Sequence, residues 1–126
     1  LPPRLVVHLG PNGGIEPEQA EEVMSIAGPT RQVTWLTVQL PDDTPRYTFE
    51  ERSNDTIHRV VAAHPNARLA DWNVISDRRP GLVWPEGIHL TPVGCRAYAR
   101  IVRAALAMPD LALRPVRPGL IDLRRA

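Results

Sequence analysis

Two short stretches hold the residue types of a reaction centre: "GPNGG" at Gly10–Gly14 and "EGIHL" at Glu86–Leu90. His89 in the second stretch carries the side chain whose ordinary pKa suits general-base work near neutral pH. Such a base needs a carboxylate to fix its tautomer and ring orientation. Glu86, three residues earlier, is the nearest candidate. In the first stretch the glycines permit a sharp turn, and Asn12 can aim an amide N–H₂ at a developing oxyanion. Each residue also has a plainer reading: asparagines often only satisfy a turn, and loop histidines often only sit on the surface or cap a helix. His8, His58 and His64 fall inside a predicted strand or helix, so position adds nothing to their case.

The elements that would carry these stretches alternate along the chain. "RLVVHLG", Arg4–Gly10, is rich in β-branched residues and reads as a buried strand running into the glycine turn. Glu16–Gly28 reads as a helix, with Pro17 in its first turn, early acidic residues and a closing glycine. Arg31–Pro41 reads as a second strand covered on both faces, through Val33, Trp35, Leu36, Val38 and Leu40. After a polar turn-rich loop, a helix is expected from about Phe49 to His64, with Ile57, Val60, Val61 and His64 at helical spacing. Asn66–Trp72 is a third short strand, and the Pro- and Gly-containing Asn73–Ile88 reads as a long loop. Thr91 then caps a helix with Pro92 at its first position and Ala97, Ile101, Val102, Ala105 and Leu106 on its apolar side. This rhythm predicts a three-layer α/β domain with parallel strands, over residues 1–108. Residues 109–126, with three prolines and four arginines, read as a tail packed on the surface or disordered.

Length and composition bound the rest. The 126 residues fit one domain, though a small one for an α/β enzyme. A formal charge of +1, with no basic patch interleaved with aromatics, gives no reason to expect nucleic acid. All 15 basic side chains are arginine. Cys95 is alone, which excludes an internal disulfide and a metal-binding cysteine pair; a buried small hydrophobe is its expected role. No apolar run approaches the roughly 20 residues of a membrane helix. Because the chain opens on Leu1, a cut inside a longer protein is expected, and the lack of upstream signals assigns no compartment.

Taken in order, "VVHLGPNGG" resembles the block of SGNH (GDSL-type) hydrolases in which a Gly-x-Asn turn follows a buried strand. "WPEGIHLTPVGCRAYA" resembles their last block, where Asp-x-x-His precedes a Leu-Thr-x-x-Gly helix start. The resemblance runs from about Leu5 to Ala107 and is strongest to SGNH domains of bacterial envelope proteins, including those fused to membrane-bound acyltransferases. It implies a flavodoxin-like SGNH fold, incomplete at its amino-terminal side, and acyl transfer through a serine ester to water or a sugar hydroxyl. His89 would be the base, Asn12 an oxyanion donor, and Gly10 the residue shaping the oxyanion turn. Glu86 stands where the family has aspartate, one methylene longer. The family's Gly-Asp-Ser nucleophile block has no counterpart here, so the resemblance places it upstream of Leu1, on a segment of the same polypeptide that completes the sheet. Ser25 and Ser53 fall on predicted helices and Ser76 in the long loop, none at a strand-to-helix elbow. No metal or organic cofactor is implied; an ester or glycan substrate, an extracytoplasmic location and fusion to a membrane domain in the parent protein are.

Two other classes compete. A non-catalytic SGNH-like module would keep the pocket to bind a glycan or acyl group, or serve only as a scaffold. A flavodoxin-like nucleotide domain is weaker, because "GPNGG" lacks the glycine spacing of a phosphate loop.

Overall fold

The computed structural model describes residues 1–41 and 45–108. Three parallel strands, β1 (Arg4–Val7), β2 (Gln32–Leu36) and β3 (Ala67–Ala70), lie side by side in chain order. The register pairs Leu5 with Val33 and Val33 with Ala67, so one row of alternate residues crosses all three strands. Two helices make the crossovers, α1 (Pro17–Ala27) and α2 (Glu50–Ala63); α3 (Trp72–Asp77) and α4 (Pro92–Ala107) follow the last strand.

Strand periodicity divides the core into two layers. Leu5, Val7, Val33, Trp35 and Ala67 meet Ala20, Met24, Ile57 and Val60 from α1 and α2. Residues of opposite parity, Val6, Leu36 and Ala70, meet Trp72, Tyr98, Ile101 and Val102 from α3 and α4. Helices on both faces of a parallel sheet make the three-layer α/β arrangement that the alternation predicts. Trp35 is fully buried, and its indole N–H donates to the Met24 sulfur at 3.4 Å. Truncating such a side chain typically costs about 3–5 kcal/mol.

The helices start where their sequences say they should. Glu16 N–H donates to Gln19 Oε1 at 2.9 Å at the entry to α1, and Thr91 Oγ1 accepts from Gly94 N–H at 3.0 Å at the entry to α4.

Four expectations are corrected or lie outside the described residues. The first two strands are shorter than their apolar runs. Beyond Leu36 the chain stays buried but leaves the ladder, because the Asn54 side chain takes both backbone groups of Val38, accepting at 2.7 Å and donating at 2.9 Å. Asn73–Ile88 is not a plain loop: Asp71 caps α3 by accepting from Val74 N–H, and a six-residue helix is too short to leave a periodic signal. Cys95 is exposed, since it sits on α4 away from the side that Tyr98 and Ile101 bury. Residues 109–126, expected to form a tail, lie outside the described residues, as does part of the polar loop before α2. No helix among the described residues is long and apolar enough to cross a membrane.

Candidate active site

The glycine turn after β1 is locked by sterics and backbone hydrogen bonds. Gly10 has φ +118°, and a Cβ there would stand 2.8 Å from Val38 Cγ2, so only glycine fits on both counts. Gly14 N–H donates to Gly10 C=O at 2.8 Å, which closes the turn over Pro11, Asn12 and Gly13. Ser53 anchors the turn's exit: its hydroxyl accepts from Ile15 N–H at 3.3 Å and donates to Phe49 C=O at 2.6 Å. The backbone is satisfied without Asn12, whose side chain is exposed and forms no hydrogen bond with the described residues. Asn12 therefore presents both amide protons to solvent. It lines a cleft of about 710 Å³ with Leu9, Gln19, Val23 and Ile26.

The second stretch is a closed turn. Trp84 N–H donates to His89 C=O at 2.8 Å, Gly87 N–H donates to Trp84 C=O at 2.8 Å, and Val83 bridges Leu90 antiparallel. Gly87 supplies φ +79° and passes Pro41 closely enough that a Cβ would lie 2.9 Å from the proline Cβ. Within the turn Glu86 Oε1 accepts from the His89 backbone N–H at 2.9 Å and lies 2.8 Å from His89 Nδ1. The longer glutamate therefore reaches the ring. The backbone N–H holds the Glu86 carboxyl below the usual glutamate range, aided by the ring contact, against a smaller opposing cost of desolvation. With its proton on Nδ1, His89 donates to this carboxylate and leaves Nε2 as the open, basic end of an exposed ring.

The helix start after this turn has its own steric reason. A Cβ on Gly94 would lie 1.8 Å from Leu82 C=O, so glycine lets the incoming segment cross the first turn of α4. Leu82 C=O in turn accepts from Thr91 N–H at 3.0 Å. The Thr-Pro-Val-Gly run thus places the Glu86–His89 turn as well as starting a helix.

Both stretches rest on the extension of β2: Gly10 touches Val38, and Gly87 touches Pro41. Polar side chains from two helices fix that extension. Asn54 holds Val38, the Glu50 carboxylate accepts from Leu40 N–H, and Thr37 Oγ1 donates to Asp71 at 2.9 Å while accepting from Asn73 N–H at 2.9 Å. The Asn73 amide donates to Glu50 at 2.9 Å and to Gln39 at 3.1 Å. The sequence reading did not single out Glu50, Asn54, Asp71 or Asn73. They come from distant points of the chain, and nothing in their spacing announces that they share a site.

No serine of this chain is placed to serve His89. Ser53 and Ser76 are buried and bonded to helix carbonyls, and Ser25 is an exposed residue of α1. None is hydrogen-bonded to His89. His8, at the end of β1, meets Tyr98 Oη at 2.7 Å through Nδ1, and burial lowers its pKa. Its Nε2 is buried with no hydrogen-bond partner among the described residues. Those residues also hold no group of three or more His, Cys, Asp or Glu side chains that could bind a metal ion.

The chain is similar to bacterial O-acetyltransferases. The chain is 27% identical over 99 residues to the O-acetyltransferase OatA of Staphylococcus aureus (strain NCTC 8325 / PS 47), a match covering 79% of this chain and 15% of that protein. It is 22% identical over 102 residues to the candidate peptidoglycan O-acetyltransferase YrhL of Bacillus subtilis (strain 168), covering 81% of this chain and 15% of YrhL. The matched region thus spans about 15% of the length of these relatives. Among solved structures, the C-terminal catalytic domain of Streptococcus pneumoniae peptidoglycan O-acetyltransferase A, determined with a methylsulfonyl adduct, superposes with a TM-score of 0.69 at 20% identity. That match covers 84% of this chain and 64% of the other. No family model matches the chain. The α/β fold is shared with that catalytic domain.

Proposed function

We propose that this chain carries the base and the oxyanion side of an SGNH-type O-acyltransferase or esterase site that acts on ester-linked acyl groups of a cell-envelope glycan. The observation that carries the reading is the Glu86–His89 pair at 2.8 Å, in a closed turn bordering the same strand extension as the Gly10–Asn12 turn. A histidine held at Nδ1 by a carboxylate and a free amide donor are groups that acyl transfer uses.

The nucleophilic serine comes from a segment of the intact protein upstream of Leu1. It lies against the free edge of β1, which pairs only with β2 among the described residues, and against the cleft beside Asn12. His89 Nε2 takes the serine hydroxyl proton as the oxygen attacks the acyl carbonyl. The Asn12 amide donates to the oxyanion, and the imidazolium returns the proton to the leaving alkoxide. A glycan hydroxyl, or water, then repeats the sequence on the acyl-serine. The acetyltransferase relatives support an acetyl group and a peptidoglycan acceptor, and with them a location outside the cytoplasm.

A second reading, a binding module that performs no chemistry, is favoured by one observation: no serine of this chain serves His89. Acetyl-ester turnover by the intact protein separates the two. Loss of turnover in His89→Ala with retained folding is expected of the enzyme, and turnover unchanged by that substitution would end the proposed role of the base.

A further inference from the structure

Charge is segregated between the two helical layers. Helix α1 has three glutamates, Glu18, Glu21 and Glu22, and no basic residue, whereas α4 has Arg96, Arg100 and Arg103 and no acidic one. The α4 arginines recur at four and three residues, which puts them on one exposed stripe of the helix. Arg78 and Arg79, just after α3, add to the same layer. With a net formal charge of only +1, this concentration is local.

Part of the basic layer forms a site. A groove of about 370 Å³ between α3 and α4 is lined by Arg78, Arg79 and Arg100 together with Val74, Ile75 and Ile101. Ile75 and Ile101 pack into the core beneath, so the groove has an apolar base, and Val74 remains 38% exposed. All three arginines are exposed, and none makes an ion pair or a side-chain hydrogen bond with the described residues. Asp77, at the end of α3, offsets only one of the three charges. Residues 10–14 and 84–89 do not line this groove, so it is separate from the candidate active site.

Guanidinium groups bind phosphate oxygens bidentately, and aliphatic side chains between them suit the methylenes next to a headgroup. A free sugar carboxylate or inorganic anion has no use for the apolar half. Nucleic acid would call for stacking aromatics, and none lines the groove. We propose that the α3–α4 groove docks the protein on an anionic phospholipid surface, with lipid phosphodiesters on Arg78, Arg79 and Arg100 and the first methylenes over Val74 and Ile101. An acyltransferase domain held this way would lie with its basic layer on the membrane.

The test is co-sedimentation of the full chain with vesicles of phosphatidylglycerol in phosphatidylcholine, against vesicles of phosphatidylcholine alone. Binding is expected only to the former, weakening with salt. The combined Arg78→Gln, Arg79→Gln and Arg100→Gln variant should lose affinity by roughly a hundredfold, because each basic residue near an anionic surface contributes about a factor of five. Val74→Ser, at an exposed position, should weaken binding at unchanged charge. Arg52→Gln with Arg59→Gln, on α2 in the opposite layer, should leave it intact. Equal loss in the α2 variant would reduce the effect to net charge and overturn the proposal. Full competition by inorganic phosphate at ionic strength matched with sodium chloride, or binding to soluble heparin with none to the vesicles, would mark a simple anion or polyanion site and overturn it as well.

Discussion

The two stretches that border the β2 extension are held by opposite means. The Gly10–Gly14 turn is fixed to the core, with Gly10 against Val38 and Ile15 N–H on the buried Ser53 hydroxyl. The Trp84–His89 turn is fixed mainly to itself, through the Trp84–His89 and Trp84–Gly87 backbone bonds and the Glu86 carboxylate, and both Glu86 and His89 face solvent. Pre-organised oxyanion donors work because they need no rearrangement during the reaction, so an anchorage in the core suits the role proposed for Asn12. A base must accept and release a proton beside a substrate, and a locally braced, exposed imidazole suits that task. Damage to the glycine frame of the first turn should therefore register as lost stability as well as lost activity, whereas loss of the exposed Asn12, Glu86 or His89 side chain should register as lost activity alone.

Substitutions sharpen this contrast, and the largest effect is expected at His89, the proposed base. In the intact protein, His89→Ala should lower acetyl-ester turnover by about 10⁴-fold or more without moving the thermal midpoint. Asn12→Ala should lower turnover by about a hundredfold, also with unchanged stability, because its side chain has no hydrogen bond to lose among the described residues. Glu86→Gln should cost only about fivefold, since an exposed pair contributes modestly and a glutamine oxygen can still accept from His89 N–H. Gly10→Ala would break the separation from the other side. Strain at positive φ and the clash with Val38 should lower stability by roughly 1–3 kcal/mol in denaturant titration, with activity falling in step.

The smallest effect expected is one of pH. Burial lowers the pKa of His8, so the unfolded chain takes up a proton near the ordinary value of 6.5 before the folded chain does. Stability should be complete above that pH and decline as pH falls through the folded value. A His8→Phe variant should flatten this limb in thermal melts recorded across pH, and a limb of unchanged slope would remove His8 as its source.

Much of this was legible in the sequence, for reasons that differ by residue. Val33, Trp35 and Leu36 announce a covered strand because burial on both faces requires an unbroken apolar run. Thr91, Pro92 and Gly94 announce the α4 start because capping and the close passage of Leu82 both constrain residue type. The Glu86–His89 contact was readable as a spacing of three, but its 2.8 Å length was not, since it depends on how Gly87 folds the turn against Pro41. Helix α3 was hidden by its brevity. The Glu50, Asn54 and Asn73 brace was hidden because contacts between distant polar residues leave no periodic trace. The residue type of Cys95 points to the interior, but its place on the helix circumference exposes it.

The most direct test of the central claim is mass mapping of the intact protein after reaction with a fluorophosphonate, which captures a serine only when a base activates it. One label is expected on a serine upstream of Leu1, lost on His89→Ala. A label on Ser25, Ser53 or Ser76, or labelling that survives the loss of His89, would contradict it.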